Sequence, residues 1–380
     1  MLKRVPLSAG SAAAAALLVV LLLCRPSRAQ GLSSRDPYLQ NDQGSSITVC
    51  WTTVRPMASQ VWLRQPSQEA ARRFADEPPG HRHQVTLSPL QPGGTYEYQV
   101  ATDQGTSPWH RFHTRPKGSV PFRFAVFGDM GDGSPAERTV ERLLEQEAPD
   151  FAFALGDLAY PSAQEATLTQ HFFHPLARYA AEHVIWHVFG NHDVAAQGGR
   201  PLEAASVVPT DGPMGLPPCH NYSWNYGDAH FVVLDSNLSP SQLRTRIAPW
   251  LEMDLSQSNE RWKFVMMHHP PFSTGPHGNT ARLDTLLVPL FSRRGVTAVF
   301  SGHDHDYERF KPIDGVVYVV SGDGGAGLYR FKRSDLNLVK RDDLHHGLTL
   351  VDIDGTGARL RHITTDGSEL DRAELAPRSP

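Results

Sequence analysis

Five apolar runs in this 380-residue chain end in oxygen or nitrogen donors, and that repetition restricts the fold more than any other feature. FAFALGDLAY at residues 151–160 sets the pattern, with no charge before Asp157 and Tyr160 three residues later. An uncharged run of this kind reads as a parallel strand buried on both faces. FRFAVFGDMG (122–131) also ends in Gly-Asp, and HVIWHVFGNHD (183–193) ends in Asn-His-Asp. WKFVMMHH (262–269) ends in paired histidines, and VTAVFSGHDH (296–305) ends in His-Asp-His. A single Gly-Asp after a strand is ordinarily a turn with a helix cap. Five coincidental turns would not all carry ligand-type side chains. At the carboxyl ends of parallel strands such side chains face the crevice where α/β sheets bind ligands. A carboxylate in a dry crevice is costly unless a cation pairs with it.

Asp129, Asp157, Tyr160, Asn191, His268, His303 and His305 form a mixed oxygen and nitrogen set without sulfur. Such donors suit iron, manganese or zinc and argue against a structural thiolate site. Seven exceed the needs of one tetrahedral ion and suit two ions that share a carboxylate. The residues therefore predict a two-metal hydrolase, in which paired cations clamp the attacking and leaving oxygens and acidify a bound water.

GDMG, GDLAY, GNHD, VMMH and GHDH, in this order, resemble the five blocks of the purple acid phosphatases, within the calcineurin-like metallophosphoesterases. GHDHDYER at 302–309 extends the last block as in the larger, two-domain members, and the resemblance covers residues 39–366. It implies an α/β fold: a two-sheet α/β/β/α sandwich preceded by a small all-β, fibronectin III-like sandwich. It also implies that Asp129, Tyr160 and His305 hold iron(III). Asn191, His268 and His303 would hold a divalent ion (iron, zinc or manganese), and Asp157 would bridge the two. The implied activity is hydrolysis of small phosphate monoesters by attack of a metal-bound hydroxide. A Tyr160 phenolate on iron(III) would colour the protein.

His192 is the candidate donor of the leaving-group proton; the alternative is a histidine that only orients Asn191 or Asp193. His269 and His277, close to His268, are candidate substrate contacts. Asp193 is expected to support a ligand histidine, and Glu308-Arg309 to form a structural ion pair. Two other functions stay open: a phosphodiesterase on the same metals, and a secreted binding protein with a dead phosphatase fold. The complete donor set argues against the latter.

Residues 1–29 combine Lys3-Arg4, an apolar run from 12 to 23 and Ser27-Arg28-Ala29, the pattern of a cleaved secretory signal peptide. The expected location is extracellular or periplasmic, with no stable membrane insertion after leader cleavage. A hydrophobic fraction of 40% with 20% charged residues allows a sizeable core. The net charge of −4, with no basic tract, gives no sign of a nucleic-acid partner. Past the leader, Cys50 and Cys219 do not make a disulfide framework, and their pairing stays open.

Residues 30–116 read as all β: short alternating segments separated by Pro, Gly and Ser turns. LQPGGTYEYQV at 90–100 resembles a tyrosine corner, and Trp51 is the candidate core tryptophan. His81, His83, His110 and His113 are expected on strand faces or at the surface. The predicted catalytic domain spans 121–370. Within it, Ser134-Pro135 opens a helix and Ser239-Pro240 another, and Leu283 to Phe291 form an amphipathic stripe. The Gly/Pro-rich stretch from 194 to 228 reads as a loop over the site, and 316–325 as a sixth buried strand. The final segment predicts a hairpin. Asn221 and Asn237 head glycosylation sequons.

Overall fold

Side chains alternate between the two faces along each apolar run, and two sheets pack back to back around them. In the computed structural model, which describes residues 34–378, Phe231, Phe264 and Phe300 enter one core, while Val232, Val265 and Val299 enter another. Each strand is thus buried on both faces, as its uninterrupted hydrophobicity requires. The expected leader at 1–29 lies outside the described residues.

The first catalytic sheet has six strands in the order Glu369–Leu375, Ala358–Thr364, Gly347–Ile353, Phe122–Phe127, Phe151–Ala154 and Ile185–His187. The last three are parallel. The second has seven, with Ala229–Leu234, Trp262–Met267, Ala298–Ser301 and Val317–Ser321 parallel at its centre. Phe124 joins the two sheets. Its ring centroid lies 5.2 Å from those of Phe231 and Phe264 and 6.2 Å from that of Phe300. Helix Pro135–Glu147 carries Val140, Leu143 and Leu144 into the first core. Ser134 caps that helix by accepting from the Glu137 N–H at 3.0 Å. Leu251, Leu255, Leu283 and Phe291 cover the outer face of the second sheet.

The preceding unit is all β, six strands from Arg35 to His113. Trp51 is in its core, and the Tyr96 hydroxyl accepts from the Gln91 N–H at 2.8 Å, the back-reaching bond of a tyrosine corner. Its contact with the catalytic sheets is polar and specific. The buried Arg35 guanidinium donates to Glu165 and Thr169, both at 2.9 Å, and lies 3.8 Å from the Phe173 ring. Tyr38 donates to the Ala205 carbonyl and Tyr98 to that of Ala181, each at 2.9 Å.

Several expectations need correction. The stretch 194–228 is not a simple loop over the site. It continues the helix Asn191–Ala195, contains the helix Arg200–Glu203 and ends in the edge strand Tyr222–Tyr226. Tyr38, Gln40 and Arg82 all bond its backbone, so it clasps the all-β unit. The amphipathic stripe is two helices, Ala281–Leu286 and Val288–Arg293, divided where Pro289 lacks the amide hydrogen to continue the first. The closing hairpin gains a third strand, Glu369–Leu375. His83 is buried, stacked on Trp51 and bonded to Thr53 and Ser59. Asn221 is fully buried, with its side-chain oxygen accepting the Asp235 N–H, so that sequon is closed to modification in the folded protein. Cys50 and Cys219 are free, buried thiols.

Replacing Phe124 by Ala should cost about 3–5 kcal/mol, the range for a buried aromatic truncation. Urea unfolding followed by tryptophan fluorescence will measure it. A loss below 1 kcal/mol would contradict its place as the joint between the sheets.

Candidate metal centre

The parallel strands deliver their donors to one edge. Asp129 follows Phe122–Phe127, Asp157 follows Phe151–Ala154 and Asn191 follows Ile185–His187. His268 follows Trp262–Met267, and His303 and His305 follow Ala298–Ser301. The seven candidate donors meet there in two groups. In the first, the Tyr160 hydroxyl lies 3.0 Å from Asp129 Oδ1 and 3.1 Å from His305 Nε2, with His305 Nε2 and Asp129 Oδ1 3.6 Å apart. In the second, His268 Nε2 lies 3.0 Å from Asn191 Oδ1 and 3.2 Å from His303 Nδ1. Asp157 Oδ2 stands between them, 3.3 Å from the Tyr160 hydroxyl and 3.4 Å from His268 Nε2. Asp157, His268 and His303 each place a ligand atom within 4.8 Å of the others.

Backbone carbonyls fix two of the imidazoles. His268 Nδ1 donates to the Leu155 carbonyl at 2.9 Å, and His305 Nδ1 to that of Gly327 at 2.8 Å. Each therefore turns Nε2 inward, the usual way an outer partner sets a metal-binding tautomer. Converging carboxylates, a phenol, an amide oxygen and inward-facing imidazole nitrogens fit two cations, and a buried array of acceptors is otherwise poorly compensated.

Charge interactions within the protein confirm the crowding. Burial and the neighbouring Asp157 push the Asp129 carboxyl well above the carboxylate range, although His268 opposes the shift. Burial works the same way on Asp157, but His268 overcomes it and holds that carboxyl well below its ordinary value. For His268, burial opposes protonation, yet Asp157 raises the pKa to about 10. Burial, with His268 and His269 nearby, keeps His303 neutral. Burial and the Asp129 and Asp157 charges raise the Tyr160 phenol far above its usual range.

Two of the candidate substrate histidines, His192 and His277, form the open side, and His269 lies deeper. The side chains of His192 and His277 are 37% and 45% exposed, against 7% or less for His268, His305, Asp129 and Asp157. His192 Nδ1 donates to the Pro161 carbonyl at 2.6 Å, leaving Nε2 3.9 Å from Asp157 Oδ2. His277 Nδ1 bonds Asp304 at 2.8 Å, and its ring packs 4.2 Å from that of His303. His269 bonds Ser236 at 2.9 Å and packs 4.3 Å from His303; burial and then His268 depress its pKa to about 3.

Asp193 does not support a histidine. It accepts the backbone N–H groups of Asp157 at 2.8 Å, Leu158 at 3.0 Å and Gly190 at 2.8 Å, so it ties two donor-bearing turns together. Nor do Glu308 and Arg309 pair: Glu308 accepts from Ser273 and Thr274, and Arg309 donates to Asp371. Tyr329, which no local motif marks, stacks on His305 at 3.9 Å. Asp304 was legible only as a carboxylate between two candidate ligands, and it holds the His277 turn.

The paired sheets and the donor edge define a calcineurin-like phosphoesterase, and the profile of the Calcineurin-like phosphoesterase family matches residues 122–307. The Purple acid Phosphatase N-terminal domain matches residues 36–114. Acid phosphatase type 7 of Mus musculus is 31% identical over 315 residues, covering 70% of this chain and 68% of the relative. Purple acid phosphatase 21 of Arabidopsis thaliana is 29% identical over 297 residues, covering 72% and 66%. The chain thus spans about two thirds of the length of these relatives. The structure of purple acid phosphatase PPD1 from yellow lupin seeds shares the fold, with a TM-score of 0.78 at 20% identity, covering 91% of this chain and 75% of that one. The chain belongs to the purple acid phosphatases, metal-dependent phosphoesterases whose family implies a dinuclear centre.

Gly190 tests the packing of the donors. A Cβ there would lie 2.1 Å from Asp157 Oδ1 and 2.3 Å from the Asp157 nitrogen. Gly190→Ala should fold but bind less than half the metal of the wild type, read by elemental analysis of the purified protein. Full occupancy would show that Asp157 moves aside freely.

Proposed function

We propose that this chain is a secreted acid phosphatase that hydrolyses small phosphate monoesters at two metal ions. Iron(III) would be held by Asp129, Tyr160 and His305, and a divalent iron, zinc or manganese ion by Asn191, His268 and His303. The single observation carrying this reading is Asp157 Oδ2, set at nearly equal distance from Tyr160 of one donor group and His268 of the other. The proposed leader at 1–29 supports secretion. The domain limits we adopt are 30–116 for the all-β unit and 121–370 for the catalytic unit.

When bound, the two ions would supply an acidified water and neutralise charge on the phosphoryl group. The protein's own side chains do the rest. Asp157 lies at the centre of the donors, oriented by the His192 N–H at 2.8 Å. His192, fixed through Nδ1, turns Nε2 toward the open side, where a proton carried on it would pass to the leaving alkoxide. His277, fixed by Asp304, and His269, fixed by Ser236, line the side of His303 and orient the phosphate. His269, neutral above pH about 3, acts there as a hydrogen-bonding group rather than a proton donor.

Paired mono- and diester chromogens, assayed with metal analysis over a range of pH, test the reading; faster diester cleavage would replace it with a phosphodiesterase. Asp157→Ala should lose both metals and nearly all hydrolysis, and retention of two metals with near wild-type activity would remove the bridge. His192→Ala should keep both metals and lose roughly 10²–10⁴-fold in turnover. That loss should shrink for aryl phosphates with good leaving groups, whereas equal losses for aryl and alkyl esters would assign His192 to phosphate binding. Oxidised, iron-loaded protein should be violet, and Tyr160→Phe should bleach it. A visible band surviving that substitution would exclude Tyr160 as the phenolate ligand.

A further inference from the structure

Ala229–Leu234 is a parallel strand of the donor edge that delivers no metal donor. It pairs with Trp262–Met267, Leu234 opposite Met267, so the residues that follow it, Asp235, Ser236 and Asn237, come up beside His268 and His269. They are held firmly there. The Asp235 N–H donates to the Asn221 side-chain oxygen, and the Asn237 N–H to Asp235 Oδ1, both at 2.8 Å. Arg282 donates through Nη2 to the Ser236 carbonyl at 2.7 Å. Ser236 is 1% exposed, and its hydroxyl meets His269 twice. It accepts the His269 backbone N–H at 2.9 Å and lies 2.9 Å from His269 Nδ1.

Those two contacts decide which ring nitrogen carries hydrogen. A hydroxyl has one hydrogen to give. Among the described residues its one acceptor is His269 Nδ1, and a buried hydroxyl that gives its hydrogen to nothing is destabilising. Ser236 therefore donates to Nδ1, and the neutral His269 ring keeps its hydrogen on Nε2. His268, one residue earlier, is set the opposite way. Its Nδ1 faces the Leu155 carbonyl, which can only accept, so its Nε2 is bare and available to a metal. His192 and His277 follow His268, with Nδ1 on the Pro161 carbonyl and on the Asp304 carboxylate. Of the three candidate substrate histidines, His269 alone presents an N–H without taking up a proton. That nitrogen has no partner among the described residues and is not sealed from solvent. The His269 ring packs 4.3 Å from that of His303 and 5.1 Å from that of His268. It stands beside two proposed ligands of the divalent ion, yet its hydrogen-bearing nitrogen has no lone pair to offer that ion.

We infer that Ser236 is a positioning residue: it locks His269 in the tautomer that offers Nε2–H to a phosphate oxygen and withholds this nitrogen from the metal. The inference rests on the proposed phosphatase reading, in which His269 orients the phosphate.

The test uses the full, metal-loaded protein and calorimetric binding of inorganic phosphate, with metal content read by elemental analysis. Ser236→Ala removes the hydroxyl, His269→Leu removes both ring nitrogens, and His269→Gln puts an amide N–H near the place of Nε2. Ser236→Ala should keep both metals and weaken phosphate about 3- to 10-fold, the loss of one hydrogen bond. His269→Leu should weaken it at least as much. Adding Ser236→Ala to His269→Leu should then change the affinity less than 2-fold, because residues that act through one another do not add. His269→Gln should bind phosphate at least 3-fold more tightly than His269→Leu. Unchanged phosphate affinity or lost metal in Ser236→Ala, the same loss with and without His269, or a His269→Gln no better than His269→Leu would overturn the inference. Wild-type protein that shows the expected binding pattern but hydrolyses no phosphate ester would defeat the phosphatase reading and leave Ser236 its role.

Discussion

A buried carboxylate that must stay ionised, Asp157, is the constraint on which the catalytic edge depends. Burial alone would neutralise it, and the protein resists by placing the His268 imidazole 3.4 Å away and the His192 N–H 2.8 Å away. Its position is set by a second carboxylate. Asp193 accepts three backbone N–H groups, each a charge-assisted bond of about 1.5–3 kcal/mol. Burial and Asp157 itself raise the Asp193 pKa to about 7, so the arrangement sets two acids against each other in a dry space. Asp129, driven toward protonation beside them, adds a third. Cations relieve this crowding at its source, and the same acids that destabilise the metal-free edge create its affinity for metal.

The backbone accepts strain to bring the donors inward. Asp129, Asp157 and His303 have φ of 57°, 52° and 74°, in the left-handed region that side chains other than glycine avoid. Each such residue costs about 1–3 kcal/mol unless its surroundings impose it. Here they do. The His303 N–H donates to Asp129 Oδ2 at 2.8 Å, and the Asp129 N–H to the Gly156 carbonyl at 3.1 Å, so each turn holds the next. A turn directly after a buried strand points its side chain across the sheet edge, where a helix cap would point it back into the chain.

The residues of this edge were legible because they are local: a buried strand, then Gly-Asp, Asn-His-Asp or His-Asp-His, is a pattern contained in ten residues. That the strands are covered on both faces was legible for a similar reason, since only such strands lack polar alternation, whereas their division into two sheets followed only from the family resemblance. What escaped depended on distant partners. Tyr329 matters because Gly327 and Tyr329 meet His305 across the site, and nothing around Tyr329 in the sequence says so. Glu308 and Arg309, adjacent in the chain, point to opposite faces of one strand and so find Ser273 and Asp371 instead of each other. The alternation around His83 permits either face of its strand, and the stack on Trp51 puts it on the buried one.

The all-β unit acts on the site through covalent continuity. Its Arg35 and Arg82 hold Glu165, and Glu165 begins a helix only five residues after Tyr160. Between them, the Pro161 carbonyl fixes the His192 ring and the Ala163 N–H donates to the His192 carbonyl at 3.1 Å. The Tyr160 N–H is itself bonded to the Gly131 carbonyl at 2.7 Å. The segment 160–165 is thus pinned at both ends, by the donor turns on one side and by two arginines of the all-β unit on the other. Arg35 is fully buried against Phe173, whereas Glu165 and Arg82 are 45% and 40% exposed, so Arg35 is the firm half of this grip and the Arg82 pair adds little. The 194–228 stretch is engaged with that unit as well, through the backbone of Ala204, Ala205 and Val207.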